Sequence, residues 1–158
     1  MKKYLVVLVA VLLASFSFSF MWFDSPEVAA KKIDLQSFVE SKFEYLQKVG
    51  KDAAFVEFQK PDGLGVDGEK YIFIFDLNGL CLVHSANPKL VGKNLIDLRD
   101  SKKKLFIQEF NKVIKADGKG WVEYNWTHPI SKLIKPKLVY LIKIDDTSYM
   151  GCGIYKAD

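Results

Sequence analysis

The sequence predicts an α+β domain organised around one largely antiparallel sheet. Three observations carry that prediction. Apolar residues recur at mostly three- and four-residue steps over residues 28–49, the spacing of one face of a long helix. An aromatic and β-branched run at 71–75 is followed, across Asn78-Gly79, by a second run at 81–85, the pattern of a hairpin. Three further strand-like runs, at 121–126, 137–144 and 149–155, close the chain. A length of 158 residues suits one domain, and 49% hydrophobic with 27% charged residues excludes disordered and low-complexity classes. Two cysteines can supply neither a disulfide scaffold nor a four-thiolate zinc site.

The first segment explains the charge. Lys2 and Lys3 precede an unbroken apolar run over residues 4–13, followed by Ala14-Ser15-Phe16-Ser17-Phe18-Ser19, the charged, apolar and small-residue order of an export signal. Cleavage after Ser19 removes both lysines and no acid, halving the formal charge of +4 and leaving no support for a nucleic-acid partner. The alternative is an uncleaved membrane anchor, because apolar residues with interspersed serines continue to Phe23. Either reading places the folded part, residues 24–158, outside the cytoplasm, periplasmic or secreted in the first case and held at the inner membrane in the second.

Ser25-Pro26-Glu27 is a helix start, combining a capping side chain, a proline in the first turn and an early acid. The stripe Val28, Ile33, Leu35, Phe38, Val39, Phe43, Leu46 and Val49 ends at Gly50, and a shorter helix is expected at 52–59. Residues 71–75 are apolar on both faces, as in a central strand. Asp76-Leu77-Asn78-Gly79 turns the chain, with Asn78 and Gly79 expected to take positive φ. A helix is expected over 104–115, ended by Asp117-Gly118-Lys119-Gly120.

Several signals dissolve on inspection. Gly63-Leu64-Gly65-Val66-Asp67-Gly68 has dinucleotide-fingerprint spacing but leads into a strand, the reverse of the required order, and is a turn. Asp76-Leu77-Asn78 lacks the ligands of a calcium loop. A separation of three along a strand puts Cys81 and His84 on opposite faces, against a nucleophile and base pair. Cys81 and Cys152 could be bridged or could be two buried thiols. His84, His128 and the cysteines have no close ligand spacing, so neither metal nor cofactor is expected. Asn125-Trp126-Thr127 is a glycosylation sequon at a strand end. Arg99, the sole arginine, is expected to pair with Asp97 or Asp100.

What remains is a set without a nucleophile: His84, Trp121, Tyr124, Trp126, Lys137 and Tyr140. It suits binding rather than catalysis. Alternation places Val122, Tyr124 and Trp126 on one face, and Lys137, inside a strand beside aromatics, either reaches solvent or offers a cation to a small anion.

From Tyr71 onward the chain resembles a single Cache domain, the extracytoplasmic sensor module of bacterial chemoreceptors and histidine kinases. The stretches that carry the resemblance are Tyr71-Ile-Phe-Ile-Phe-Asp76 with Asn78-Gly79, His84 with residues 86–95, Gly120-Trp-Val-Glu-Tyr-Asn-Trp126, Pro136-Lys137 with Tyr140, and Gly151-Cys-Gly-Ile-Tyr155. The resemblance implies a PAS-like five-stranded sheet with the long helix on one face and, on the other, a pocket roofed by residues 86–120. It implies His84, Trp126, Lys137 and Tyr140 as pocket residues and a small organic acid or similar metabolite as ligand. The sequence ends three residues after Tyr155, so the expectation is a stand-alone exported sensor, acting in signal transduction or chemotaxis through a membrane-bound partner. The alternative is a periplasmic structural or interaction module with a vestigial pocket.

Overall fold

A computed structural model describes residues 25–155. The expected export segment at 1–19, and the anchor alternative to 23, lie outside the described residues.

Helix α1, Pro26–Val49, begins where the sequence predicts: the Ser25 hydroxyl accepts the Val28 N–H at 3.3 Å, and Pro26 opens the first turn. Gly50, at φ 85, ends it and hands the chain to α2, Lys51–Gln59. Leu35, Phe38, Val39 and Leu46 are buried, but Ile33 is 72% exposed. It stands two positions before Leu35, about 200° around the helix, and so faces away from the sheet.

The Gly63 to Gly68 stretch leads into a two-residue hairpin, β1 (Val66–Asp67) and β2 (Lys70–Tyr71). Strands β3 (Phe73–Asp76) and β4 (Cys81–His84) form the predicted hairpin. Gly79 alone takes positive φ, at 88°, while the Asp76 carboxylate accepts the N–H groups of Asn78 and Leu80 at 2.9 and 2.8 Å. Side-chain capture by Asp76 thus replaces the positive φ expected of Asn78. The ladder shifts between Ile74 and Phe75, pairing Ile74 with Val83 but Phe75 with Cys81. That bulge reverses one expectation, since Cys81 joins the same face as His84.

A 3₁₀ turn at Pro88–Leu90 and a loop lead to α3, Phe106–Asp117, capped by Gly118 in the left-handed region. Strands β5 (Lys119–Thr127), β6 (Ile134–Lys143) and β7 (Ser148–Tyr155) complete an antiparallel sheet of order β4-β3-β7-β6-β5. The sheet carries a core on each face. On one, Leu35, Val39, Phe58, Ile72, Ile74, Val83 and Met150 pack under α1 and α2. On the other, Phe73, Phe75, Phe106, Phe110, Tyr124, Val139 and Leu141 pack under α3 and the connection that precedes it. Cys81 lies in the second core and Cys152 in the first, and both are free thiols.

Candidate functional site

Strand parity sorts the expected site residues into two groups. Val122 and Tyr124, with Trp126 packed against them, face α3. Trp121 and Tyr140 face the opposite way, toward α1: their rings lie 4.9 Å apart, Lys32 Nζ stands 5.2 Å over Trp121, and the Tyr140 hydroxyl donates to Glu40 at 3.1 Å. Both were expected in the pocket. Their odd and even neighbours own that face, so Trp121 and Tyr140 belong to the helix–sheet core instead.

On the α3 side, a cleft of about 460 Å³ opens between the segment after β4 and the β5–β6 connection. Tyr71, His84, Asn87, Lys89, Trp126, His128 and Lys132 line it. His84 and Trp126 also wall an inner chamber with Phe73, Phe106, Phe110 and Tyr124. The chamber holds about 10 Å³, room for about one water molecule. Tyr124 stacks on Phe106 at 4.3 Å with an interplanar angle of 13°, and Phe106 meets Trp126 edge-on at 5.4 Å. These aromatics are wall and core together.

His84 is held by its own segment. Its Nδ1 accepts the Asn87 N–H at 3.1 Å, which leaves the proton of the neutral ring on Nε2. Burial, reinforced by the Lys137 charge, pushes its pKa down to about 3, so the ring is neutral at physiological pH. Cys81, on the same face, is pushed up to about 12 by burial and stays a thiol. Burial weakens the imidazole as a base and makes the thiol harder to ionise, so the two groups give no support to a nucleophile and base pair.

Lys137 is the unusual group. It is 0% exposed, and its Nζ has no hydrogen-bond partner. The amine sits 3.8 Å from the centroid of Tyr71, 5.2 Å from Tyr155 and 5.8 Å from Phe73. Burial pushes its pKa down to about 7. The room comes from β7, where a Cβ on Gly153 would lie 2.5 Å from Lys137 Cε and one on Gly151 would lie 2.7 Å from the Phe73 ring. Lys137 does not line the cleft. Tyr71 does, and its ring is the nearest group over the amine. Tyr71 is held by a long 3.4 Å contact to the Tyr155 hydroxyl, which donates to the Thr127 carbonyl at 2.8 Å.

Sequence reasoning missed Tyr71 and Tyr155 as parts of this arrangement, although Tyr71 lies in a stretch already singled out. The available signal was the alternating Gly151-x-Gly153, which clears space on one face of a strand beside large residues. The sequon asparagine is engaged, its Nδ2 donating to Asp100 at 3.1 Å. Arg99 donates to the Lys103 carbonyl rather than pairing with Asp97 or Asp100. Among the described residues no group of three His, Cys, Asp or Glu could hold a metal ion, and no helix is long and apolar enough to cross a membrane.

Known proteins match this architecture. The periplasmic sensor domain of a chemotaxis protein superposes with a TM-score of 0.71 at 25% identity, covering 84% of this chain and 100% of that one. A methyl-accepting chemotaxis protein from Vibrio parahaemolyticus gives 0.69 at 23% identity, covering 82% and 90%. A Cache chemosensory domain described for carboxylic acid recognition gives 0.68 at 22% identity, covering 85% and 100%. In sequence, the sensor histidine kinase MctS of Rhizobium johnstonii is 33% identical over 95 residues, 60% of this chain. The chain spans about a fifth of that relative's length, matching 20% of it. The Cache domain family model matches residues 64–158, from the β1–β2 hairpin through every strand of the sheet, and the chain belongs to that family.

Proposed function

We propose that the chain is an extracytoplasmic sensor domain that binds a small organic acid in the cleft beside His84 and passes the bound state to a signalling partner. The observation that carries this reading is Lys137, a fully buried amine with three aromatic rings around it and no hydrogen-bond acceptor. A buried ammonium is costly until an anion pairs with it. A carboxylate entering past Tyr71 supplies that anion; to admit it the buried ring gives up its 3.4 Å contact with Tyr155, its packing on His84 at 5.1 Å and its place 3.8 Å over the amine. His84 offers its Nε2–H to a second oxygen, while Trp126 and Tyr124 exclude water. Carboxylic acid recognition by a structurally similar Cache domain supports the ligand class. Binding is favoured over nucleophilic chemistry because burial opposes both the proton uptake by His84 and the ionisation of Cys81 that such chemistry needs.

A thermal-shift screen against small organic acids, amino acids, amines and purines tests the reading. One acid should raise the melting temperature in a concentration-dependent way, and Lys137→Met should abolish the shift while still melting cooperatively. A flat screen, or a shift that survives in Lys137→Met, sinks the mechanism and favours an interaction module whose pocket is filled by its own side chains.

A further inference from the structure

The β5–β6 connection presents an apolar tip. Ile130, Leu133 and Ile134 are 69, 61 and 62% exposed within five residues, and Lys132 and Lys135 are interleaved with them. No acid occurs between Glu123 and Asp145. The tip is a built turn: His128 N–H donates to the Leu133 carbonyl at 2.8 Å, Lys132 N–H donates to the His128 carbonyl at 3.0 Å, and His128 Nδ1 accepts from Ile130 and Ser131 at 3.3 and 3.2 Å. Three large apolar side chains held out on an ordered turn are a surface awaiting an apolar partner.

Its place in the fold identifies that partner. The Tyr155 hydroxyl donates to the Thr127 carbonyl, and the His128 ring lies 4.6 Å from the Tyr155 ring. Ser25 and Val28 share a groove with Leu138, Ile154 and Tyr155. Both ends of the described chain therefore meet at the root of this hairpin. Ile134 stands four residues beyond Leu138 along β6, about 13 Å past the first turn of α1. One residue, Asp24, separates Ser25 from the apolar run that ends Phe20-Met21-Trp22-Phe23. The tip projects past the start of α1, the point from which the chain runs back in sequence toward that apolar run.

We infer that the β5–β6 tip docks on a lipid bilayer, with Ile130, Leu133 and Ile134 entering the boundary between headgroups and acyl chains and the exposed Lys132 facing anionic headgroups. The inference is independent of the ligand reading. It has a consequence for the cleft, because Pro129 and Lys132 also line it and docking holds one of its lips at the membrane.

The test uses the full chain, with its N-terminal segment, in phosphatidylcholine–phosphatidylglycerol vesicles. An environment-sensitive fluorophore is attached at Leu133→Cys and, as reference, at Asn78→Cys on the turn at the other end of the sheet; native Cys81 and Cys152 are buried. An unchanged melting temperature establishes that each labelled protein is folded. Lipids spin-labelled near the headgroup should quench the Leu133→Cys probe by at least about twofold and leave the Asn78→Cys probe unaffected, with iodide showing the opposite order. In vesicles of phosphatidylcholine alone the quenching should fall by about half or more. A Leu133→Cys probe open to iodide overturns the inference. A probe shielded from iodide yet unquenched by lipid also overturns it, placing a second copy or another protein on the tip. Quenching that ignores lipid charge overturns the role given to Lys132.

Discussion

Lys137 ties the chemistry of the site to the stability of the fold. Its pKa falls from an ordinary value of 10.5 to about 7 because the buried amine has lost water and gained only ring faces. A lysine depressed in this way is protonated in the unfolded chain and increasingly neutral in the folded one above pH 7, so the unfolded state binds more protons and stability rises with pH. The lysine's own contribution to the rise should amount to roughly 2 kcal/mol between pH 7 and 9. Toward the upper end of that window the raised pKa values of buried Cys81 and Cys152, about 12 and about 11, begin to oppose it, since those thiols keep protons that the unfolded chain starts to give up near pH 9. Urea titrations at pH 7 and 9 should show stability rising by that margin more in the native chain than in Lys137→Met, which should be the more stable protein at pH 7. Equal slopes in the two proteins would mean that the amine is solvated. Lys137 itself was legible in the sequence as a lysine inside an aromatic strand. The error at Trp121 and Tyr140 came from grouping both strand parities into one pocket, when period-two geometry allows only one.

At the scale of elements, Asp100 organises the approach to the site. Its carboxylate accepts four N–H groups, from the backbones of Lys102, Lys104 and Asn125 and from the Asn125 side chain, at 2.8, 2.9, 2.9 and 3.1 Å. The loop that roofs the inner chamber is thereby tied to β5. These bonds outweigh burial and hold the carboxyl below its ordinary pKa. They also explain why α3 starts at Phe106 rather than at the expected Lys104: Asp100 takes the Lys104 N–H, and Lys103 sits at φ 65. Such side-chain capture is invisible to periodicity, as is the β3–β4 bulge, whereas the α1 cap and the glycine stops wrote their positions in residue type. Asp100→Ala should cost roughly 1–3 kcal/mol, because it strands part-buried donors that had a charged acceptor. Hydrogen exchange should accelerate across residues 95–105 more than in α1. An unchanged unfolding midpoint would show that water replaces the carboxylate without loss.

For the whole molecule, the sheet is a wall shared by two cores, and the site lies on one side of it. Strand β6 carries Lys137, Val139 and Leu141 toward α3, and Leu138, Tyr140 and Ile142 toward α1. Strand β7 interleaves in the same way, with Gly151 and Gly153 making room beside Phe73 and Lys137 while Met150 and Cys152 pack under α1. In the proposed binding mode a carboxylate on Lys137 bears on the same two strands that hold α1, and Tyr140 adds a hydrogen bond to Glu40 across that interface. At about 100 times its dissociation constant such a ligand stabilises the native state by about 2.7 kcal/mol. Because close-packed strands do not absorb displacement locally, the stabilisation should not stop at the cleft. Hydrogen exchange with the acid identified by the thermal screen should slow in α1 around residues 35–46 as well as in the roof, and Tyr140→Phe should reduce the α1 effect while leaving affinity within about threefold, the loss of one partly exposed hydrogen bond. Protection confined to residues 86–118 would mean that the sheet insulates the two cores, and that any signal leaves the domain through the roof.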